Sequence, residues 1–355
     1  MMREATRLTQ SGNLNEATLL IQRALGNASP APTSSPVPPG FATSSPIILD
    51  GCVFEVEESE APGQNTNRSS SEGRGNTAPG DFCVGSHTHA SLTRRYKLFT
   101  PPGSVGKSLP LVVMLHGCTQ NPDDFAAGTG MNQRATEQGF YVLYPEQSAS
   151  ANPQRCWNWF KHNHQSRGRG EAALLASMTI AVMREHGINA RRVYIAGLSA
   201  GGAMAATVAA AYPEIFAAVG VHSGLVAGAA SNVAEALAAM KSGATHPMPI
   251  ASNVAVPTIV FHGDQDRTVH PRNGGQVVAR LGADTETYVE NGISDNGRSF
   301  TRTRYRLNQL NVAEHWVVHG GGHAWFGGNA KGTYTDPKGP DASGEMLRFF
   351  SEHTK

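Results

Sequence analysis

The chain has 355 residues, 39% of them hydrophobic and 16% charged, with a formal net charge of +1. That allows one large domain plus additional segments, and it argues against nucleic acid or an anionic membrane surface as the main partner. No run of eighteen or more apolar residues exists, so no membrane-spanning helix is expected.

Residues 4–25 have helical periodicity (Ala5, Leu8, then Leu14, Ala17, Leu20, Ile21, Leu25) interrupted at "SGN". Two short amphipathic helices joined by a glycine turn are expected over 1–26, a candidate element for docking or self-association. The segment is charged throughout and lacks a continuous apolar stretch with a small-residue cleavage site. It does not read as a secretory signal, which leaves the cytoplasm as the default location. Residues 27–80 shift to Pro, Ser, Gly and Thr and read as a linker.

A folded domain is expected over 81–355. "FCVGSHTHA" and "TRRYKLFTPP" predict two antiparallel strands. "LPLVVMLHG" precedes a helix from about Ala126 to Gln138, and "GFYVLYPEQ" precedes a loop carrying "CWNWF". A helix at "GEAALLASMTIAVMREHG" precedes "RRVYIAG", and a helix after Ser199 leads to "FAAVGVHSG". "VPTIVFHG", a helix at "GGQVVARLG", "AEHWVVHG" and a last helix from about Ala342 to Glu352 follow. Fully apolar strands alternating with helices predict an α/β fold, a mostly parallel sheet covered on both faces. The Ala-rich stretch after Val221 reads as a surface helix, with a small cap over the site as the alternative.

The chemistry centres on Gly197-Leu198-Ser199-Ala200-Gly201. An apolar run, a Gly-x-Ser-x-Gly turn and a small-residue helix form the strand–turn–helix context of a nucleophile elbow. Ser199 would stand at a helix N-terminus, where free N–H groups and the helix dipole favour a developing oxyanion. An ordinary Gly-Ser turn is the competing reading, and the rest of the chain decides against it. A serine nucleophile needs a base, and the base needs an orienting acid, in the order Ser, Asp/Glu, His. The loop after "VPTIVFHG" offers Asp266, preferred because it lies deeper in the turn, and Asp264 as the alternative. The loop after "HWVVHG" offers His323, with His319 at the strand end as the rival base.

One oxyanion donor is expected to be the Ala200 N–H. The other is expected in "VVMLHGCTQ", where Gly117 allows a sharp turn that leaves the Cys118 N–H free. Gln120 and Asn121 follow that turn and are read as holding it, Gln120 being also a candidate substrate contact. Trp157 and Trp159 alternate, so one is expected to face the core and the other the cleft. Trp325, two residues past His323, is a candidate for lining the acyl or alcohol pocket, each tryptophan being weighed evenly against plain packing. No metal or organic cofactor is expected. None of the four cysteines (Cys52, Cys83, Cys118, Cys156) shows paired CxxC spacing, and reduced thiols are the plain expectation. Cys118 and Cys156 stay open.

"HGCTQNPDDFAAGTGMNQRA", "VLYPEQ", "CWNWF", "GLSAGGAMAA", "HSG", "HGDQDRTVHPRNG" and "GGGHAWFGG" together resemble the poly(3-hydroxybutyrate) depolymerase family of esterases. That family belongs to the α/β-hydrolases and is related to feruloyl and acetylxylan esterases. The resemblance runs from about Ser91 to the C-terminus. It implies a Ser199–Asp266–His323 triad, the Cys118 N–H in the oxyanion hole, and a pairing of Cys118 with Cys156. It implies hydrolysis of short-chain or hydroxyalkanoate esters. Feruloyl, acetylxylan or aromatic polyester substrates are the alternatives, with acyl transfer and a silent binding module further off. Family members are commonly secreted and often carry a separate C-terminal polymer-binding domain. Neither a signal peptide nor such a domain is visible here, so soluble esters or short oligomers are expected over crystalline polyester.

Overall fold

The computed structural model describes residues 80–245, 256–279, 285–295 and 297–355. The expected N-terminal helix pair, almost all of the linker, and Cys52 lie outside the described residues. Five short apolar runs become strands buried at every position: β3 (Leu111–Leu115), β4 (Tyr141–Pro145), β5 (Val193–Leu198), β6 (Ala218–His222) and β7 (Thr258–Gly263). Burial on both faces is what a parallel sheet between helical layers requires. Before them come the antiparallel strands β1 (Asp81–His89) and β2 (Leu92–Thr100). Three further strands complete the main sheet: β8 (Glu286–Ile293), β9 (Ser299–Leu307) and β10 (Leu310–Val318). The order in this ten-stranded sheet is β1-β2-β4-β3-β5-β6-β7-β10-β9-β8. β4, β3, β5, β6, β7 and β10 run parallel, so their carboxyl ends share one edge.

The helices are α1 (Pro122–Thr129), α2 (Met131–Gln138), α3 (Gly170–Glu185), α4 (Ala200–Ala211), α5 (Val233–Ser242), α6 (Arg272–Val278) and α7 (Ala342–Ser351). Residues of β3 alternate between two cores, as a period of two dictates. Leu111, Val113 and Leu115 join Leu175, Met178 and Met204 of α3 and α4. Val112 and Met114 join Phe125, Met131, Met346 and Phe349 of α1, α2 and α7. Each such side chain withdrawn from water contributes about 1.5–3 kcal/mol before ordering costs. Among the described residues no helix is long and apolar enough to cross a membrane.

Two expectations change. The single helix from Ala126 to Gln138 is two helices, α1 beginning earlier on the Asn121 cap and Pro122 and ending at Gly130, whose φ of 63° starts a new axis. The sequence also gave no reason to expect the β8–β9 hairpin. Every β8 residue except Gly292 is exposed, so no apolar face marks it. The Ala-rich stretch forms α5, which buries Ala236 and Ala239 and packs beside α6. Met240 O accepts from His270 N–H (2.7 Å) and Ala239 O from Asn273 Nδ2 (2.9 Å), so α5 braces the segment that follows Asp266.

Candidate active site

β5 delivers the chain into a turn at Ser199 with φ 57° and ψ −119°, and α4 starts at the next residue. A non-glycine residue seldom occupies that region, and such strain persists only where surroundings fix it. Here the Ser199 N–H donates to His222 O (2.8 Å) and Ser199 O accepts from Ala203 N–H (2.9 Å). The flanking glycines are needed for space. A Cβ on Gly201 would lie 2.1 Å from Leu115 O and 2.6 Å from His116 O, and one on Gly197 would lie 2.4 Å from Gly201 C. So tight a crossing lifts Ser199 to the carboxyl edge of the sheet.

β7 and β10 end on the same edge, and their loops meet there. Asp266 Oδ2 accepts from His323 Nδ1–H at 2.7 Å, while Oδ1 accepts from the Thr268 and Val269 N–H groups at 2.9 and 2.8 Å. His262 Nε2–H donates to Val269 O (2.8 Å) and lies 3.5 Å from Asp266 Oδ2. Burial opposes the charged form of Asp266, but the interactions with His262 and His323 outweigh it and hold this carboxyl well below the usual range. With Nδ1 directed at Asp266, His323 Nε2 has no hydrogen-bond partner among the described residues.

The alternative acid and the rival base form a second pair. Asp264 accepts from His319 Nδ1 (3.0 Å) and Gly320 N–H (2.8 Å), and His319 Nε2 is engaged by Thr301 Oγ1 (3.0 Å). Both nitrogens of His319 are therefore taken. This pair is far more exposed than Asp266 and His323.

On the far side of Ser199, β3 runs into the turn His116–Gln120. Gln120 Oε1 accepts from Gly117 N–H (2.9 Å), and its Nε2 donates to Asp124 Oδ2 (2.8 Å) and Thr333 O (3.2 Å). Gln120, buried with its amide hydrogen-bonded on both ends, thus braces the turn. Asn121 caps α1 by accepting from Asp124 N–H (2.9 Å). Cys118 is joined to Cys156 by a disulfide. The N–H groups of Cys118 and Ala200 donate to no carbonyl of the described residues. His116 is buried; burial pushes its imidazole down to about 4, so it is neutral near pH 7.

The tryptophans do not reach the cleft. "CWNWF" is a loop rather than a strand, so alternation does not assign opposite faces, and Trp157 and Trp159 are both buried in the first core. Trp325 is 1% exposed in the other core, stacked on His222 at 4.8 Å with Nε1 donating to Ser343 Oγ (3.0 Å). It supports the strand end that holds Ser199 N–H instead of lining a pocket. A ring that sequence reasoning missed stands beside the turn that carries Cys118. Tyr334 is 47% exposed with φ 52°, and its hydroxyl lies 3.2 Å from Thr119 Oγ1. Nothing in "KGTYTD" signals this, because the approach of Tyr334 to Thr119 is purely tertiary.

Sequence reasoning also missed a buried polar network behind the turn. Glu171 accepts from Gln147 Nε2 (2.6 Å), Asn158 N–H (2.8 Å), Asn158 Nδ2 (2.8 Å) and Arg94 (3.2 Å). It ties α3 to the loop bearing Cys156.

A mostly parallel sheet with a left-handed serine between β5 and α4, and a part-buried Asp–His pair at the ends of β7 and β10, defines an α/β-hydrolase. Within that class the chain belongs to the esterase PHB depolymerase family, whose profile matches residues 94–296, more than half of its length. It is 31% identical over 248 residues to poly(3-hydroxyalkanoate) depolymerase C of Paucimonas lemoignei, covering 66% of this chain and 58% of that protein. It is 30% identical over 193 residues to acetylxylan esterase A of Talaromyces purpureogenus, covering 48% and 49%. The chain thus spans about half the length of these relatives. Among solved structures, acetyl xylan esterase from Aspergillus awamori superposes with a TM-score of 0.59 at 18% identity, covering 73% of this chain and 94% of that one. An S-formylglutathione hydrolase from Agrobacterium tumefaciens gives 0.52 at 14% identity, covering 78% and 97%; both likenesses concern the fold.

Proposed function

We propose that this chain is a serine carboxylic ester hydrolase acting on short-chain or hydroxyalkanoate esters through Ser199, His323 and Asp266. The observation that carries the proposal is the part-buried hydrogen bond from His323 Nδ1 to Asp266, which in the neutral ring leaves Nε2 as a lone pair on the edge where Ser199 stands. In acylation, Nε2 takes the Ser199 hydroxyl proton as Oγ bonds to the ester carbonyl carbon. The carbonyl oxygen becomes an oxyanion, held by the N–H groups of Cys118 and Ala200. Collapse breaks the bond to the alcohol oxygen, which leaves with the proton from His323. Water then repeats the sequence: His323 takes its proton, hydroxide oxygen bonds to the acyl carbon, and Ser199 is released with the proton returned. Asp266 keeps the ring in the Nδ1–H form and stabilises the imidazolium.

The family assignment and the depolymerase relative support a hydroxyalkanoate ester, while the acetylxylan esterase relatives keep sugar acetates as a second candidate. Wild type and Ser199→Ala are to be compared on p-nitrophenyl butyrate, a soluble 3-hydroxybutyrate oligomer, an acetylated xylo-oligosaccharide and methyl ferulate. Turnover by wild type alone, with the highest kcat/KM on the hydroxybutyrate oligomer, is expected. Preference for the sugar acetate would move the substrate assignment, and full activity in Ser199→Ala would overturn the mechanism.

A further inference from the structure

His116 is the first residue beyond β3 and is buried against Trp157, with ring centroids 5.6 Å apart. Its two nitrogens face partners that can each play only one role. The neighbour of Nδ1 is Gly117 O at 2.8 Å, which can only accept, so Nδ1 carries the proton. The neighbour of Nε2 is the Gln147 N–H at 3.1 Å, which can only donate, so Nε2 carries a lone pair. The two constraints select one neutral tautomer.

Gly117 O belongs to the peptide plane whose N–H is that of Cys118. No described peptide bond is cis, and in a trans peptide the C=O and N–H point in opposite directions. Pinning the Gly117 carbonyl toward the His116 ring therefore aims the Cys118 N–H the other way. The Gln120 N–H also reaches Gly117 O, at a longer 3.3 Å. Gln147 fixes the ring from behind and donates Nε2 to Cys156 O (3.0 Å), the disulfide partner of Cys118. The Cys118 side chain and the peptide before it are thus anchored from one residue.

We infer that His116 is a positioning residue for the oxyanion hole, its Nδ1–H holding the Gly117–Cys118 peptide so that the Cys118 N–H meets the oxyanion. It touches no substrate and acts only through that peptide. The inference rests on the esterase mechanism proposed above.

Two variants separate the nitrogens. His116→Asn places an amide N–H near the Nδ1 position and keeps the donor to Gly117 O. His116→Gln places its polar end near Nε2 and loses that donor. Losing a whole oxyanion donor costs on the order of 10²–10³ in kcat, so a misaimed donor in His116→Gln is expected to cost roughly 10- to 100-fold with KM within about threefold. His116→Asn is expected to recover most of that loss. A trifluoromethyl ketone that adds to Ser199 forms an oxyanion, so its inhibition constant should weaken by the same factor as kcat falls. A purely structural role would lower the fraction of active protein and leave that constant unchanged, which would overturn the inference. So would equal damage in both variants, or full kcat in His116→Gln.

Should His116→Gln not fold, ¹⁵N-imidazole NMR of the wild-type protein decides: the Nδ1–H tautomer at His116 is required, and an Nε2–H tautomer would overturn it. Loss of ester turnover in Ser199→Ala alongside normal kcat in His116→Gln removes this inference and leaves the mechanism standing. Retained turnover in Ser199→Ala removes both.

Discussion

Asp266→Asn changes one atom type and disables the base by a route that the hydrogen bonds dictate. In the wild type, Oδ1 takes two backbone donors, Thr268 and Val269, and Oδ2 takes His323 Nδ1–H. An asparagine has a single oxygen. Facing its NH₂ toward the two backbone donors would strand both N–H groups, the buried one of Val269 alone costing about 1–3 kcal/mol. The oxygen therefore stays on the backbone side, and the NH₂ faces His323. Two N–H groups cannot share the 2.7 Å gap, so the ring must move its proton to Nε2, the atom needed as the base. A triad held in the wrong tautomer loses about 10³–10⁴ in kcat, or roughly 4–5.5 kcal/mol at 1.36 kcal/mol per tenfold. The assay is steady-state hydrolysis of p-nitrophenyl butyrate, with the melting temperature measured alongside. Asp264→Asn is the control: it touches the half-exposed His319 and the Gly320 N–H, not Asp266 or His323, and should change kcat/KM less than about threefold. Asp266→Asn with more than a tenth of wild-type activity, or a hundredfold loss in Asp264→Asn, would refute the reasoning.

Gly201→Ala drives a Cβ into the Leu115 and His116 carbonyls, which are backbone atoms that cannot rotate away. The expected loss is about 3 kcal/mol or more by urea unfolding together with esterase activity, and a fully active, stable variant would contradict the elbow geometry. Burial holds both His116 and His315 down at about 4, so the unfolded chain binds protons between about pH 6.5 and 4 that the folded chain does not. Stability must therefore fall as pH falls through that window, by about 2.7 kcal/mol per unit for the two groups together. Urea midpoints that stay flat from pH 6.5 to 4.5 would contradict this, and His315→Leu should reduce the slope by about 1.4 kcal/mol per pH unit. Below about pH 4, Asp266 adds a loss of the same sign, because its carboxyl is held low in the folded state and its stabilisation disappears as it protonates. Replacing Cys118 and Cys156 together by serine opens a loop with a sequence separation of 38, for which the chain-entropy relation gives about 3.9 kcal/mol of lost stability. Chemical denaturation checks that value, and no change would mean that the disulfide constrains nothing.

The sheet and the side chains proposed to react were legible because both leave local signatures. Strands β3 to β7 are short, mostly apolar runs buried at every position, and Gly197 and Gly201 bracket Ser199 where the crossing admits no Cβ. Placing the acid and base after strand ends used only chain order, and Asp266 and His323 are hydrogen-bonded partners. What stayed hidden depends on contacts between distant segments. Trp157 and Trp159 are both buried because their loop is tied down through Asn158, Glu171 and the Cys156 disulfide, and loop geometry breaks the two-residue period. Trp325 follows His323 by two residues, yet its ring turns inward to stack on His222. Arg94, Gln147 and Glu171 lie far apart in sequence, so nothing local marked them as one buried cluster. The β8–β9 hairpin went unnoticed because β8 is exposed along nearly all of its length.

The most direct test of the mechanism is to mix the protein with a fluorophosphonate ester probe, digest it, and find the modified residue by mass spectrometry. One adduct on Ser199 is predicted, absent in Ser199→Ala, greatly slowed in His323→Ala, and formed in step with loss of esterase activity. Loss of activity with the adduct on another residue, or persistent ester hydrolysis after Ser199 is fully modified, would contradict Ser199 as the nucleophile.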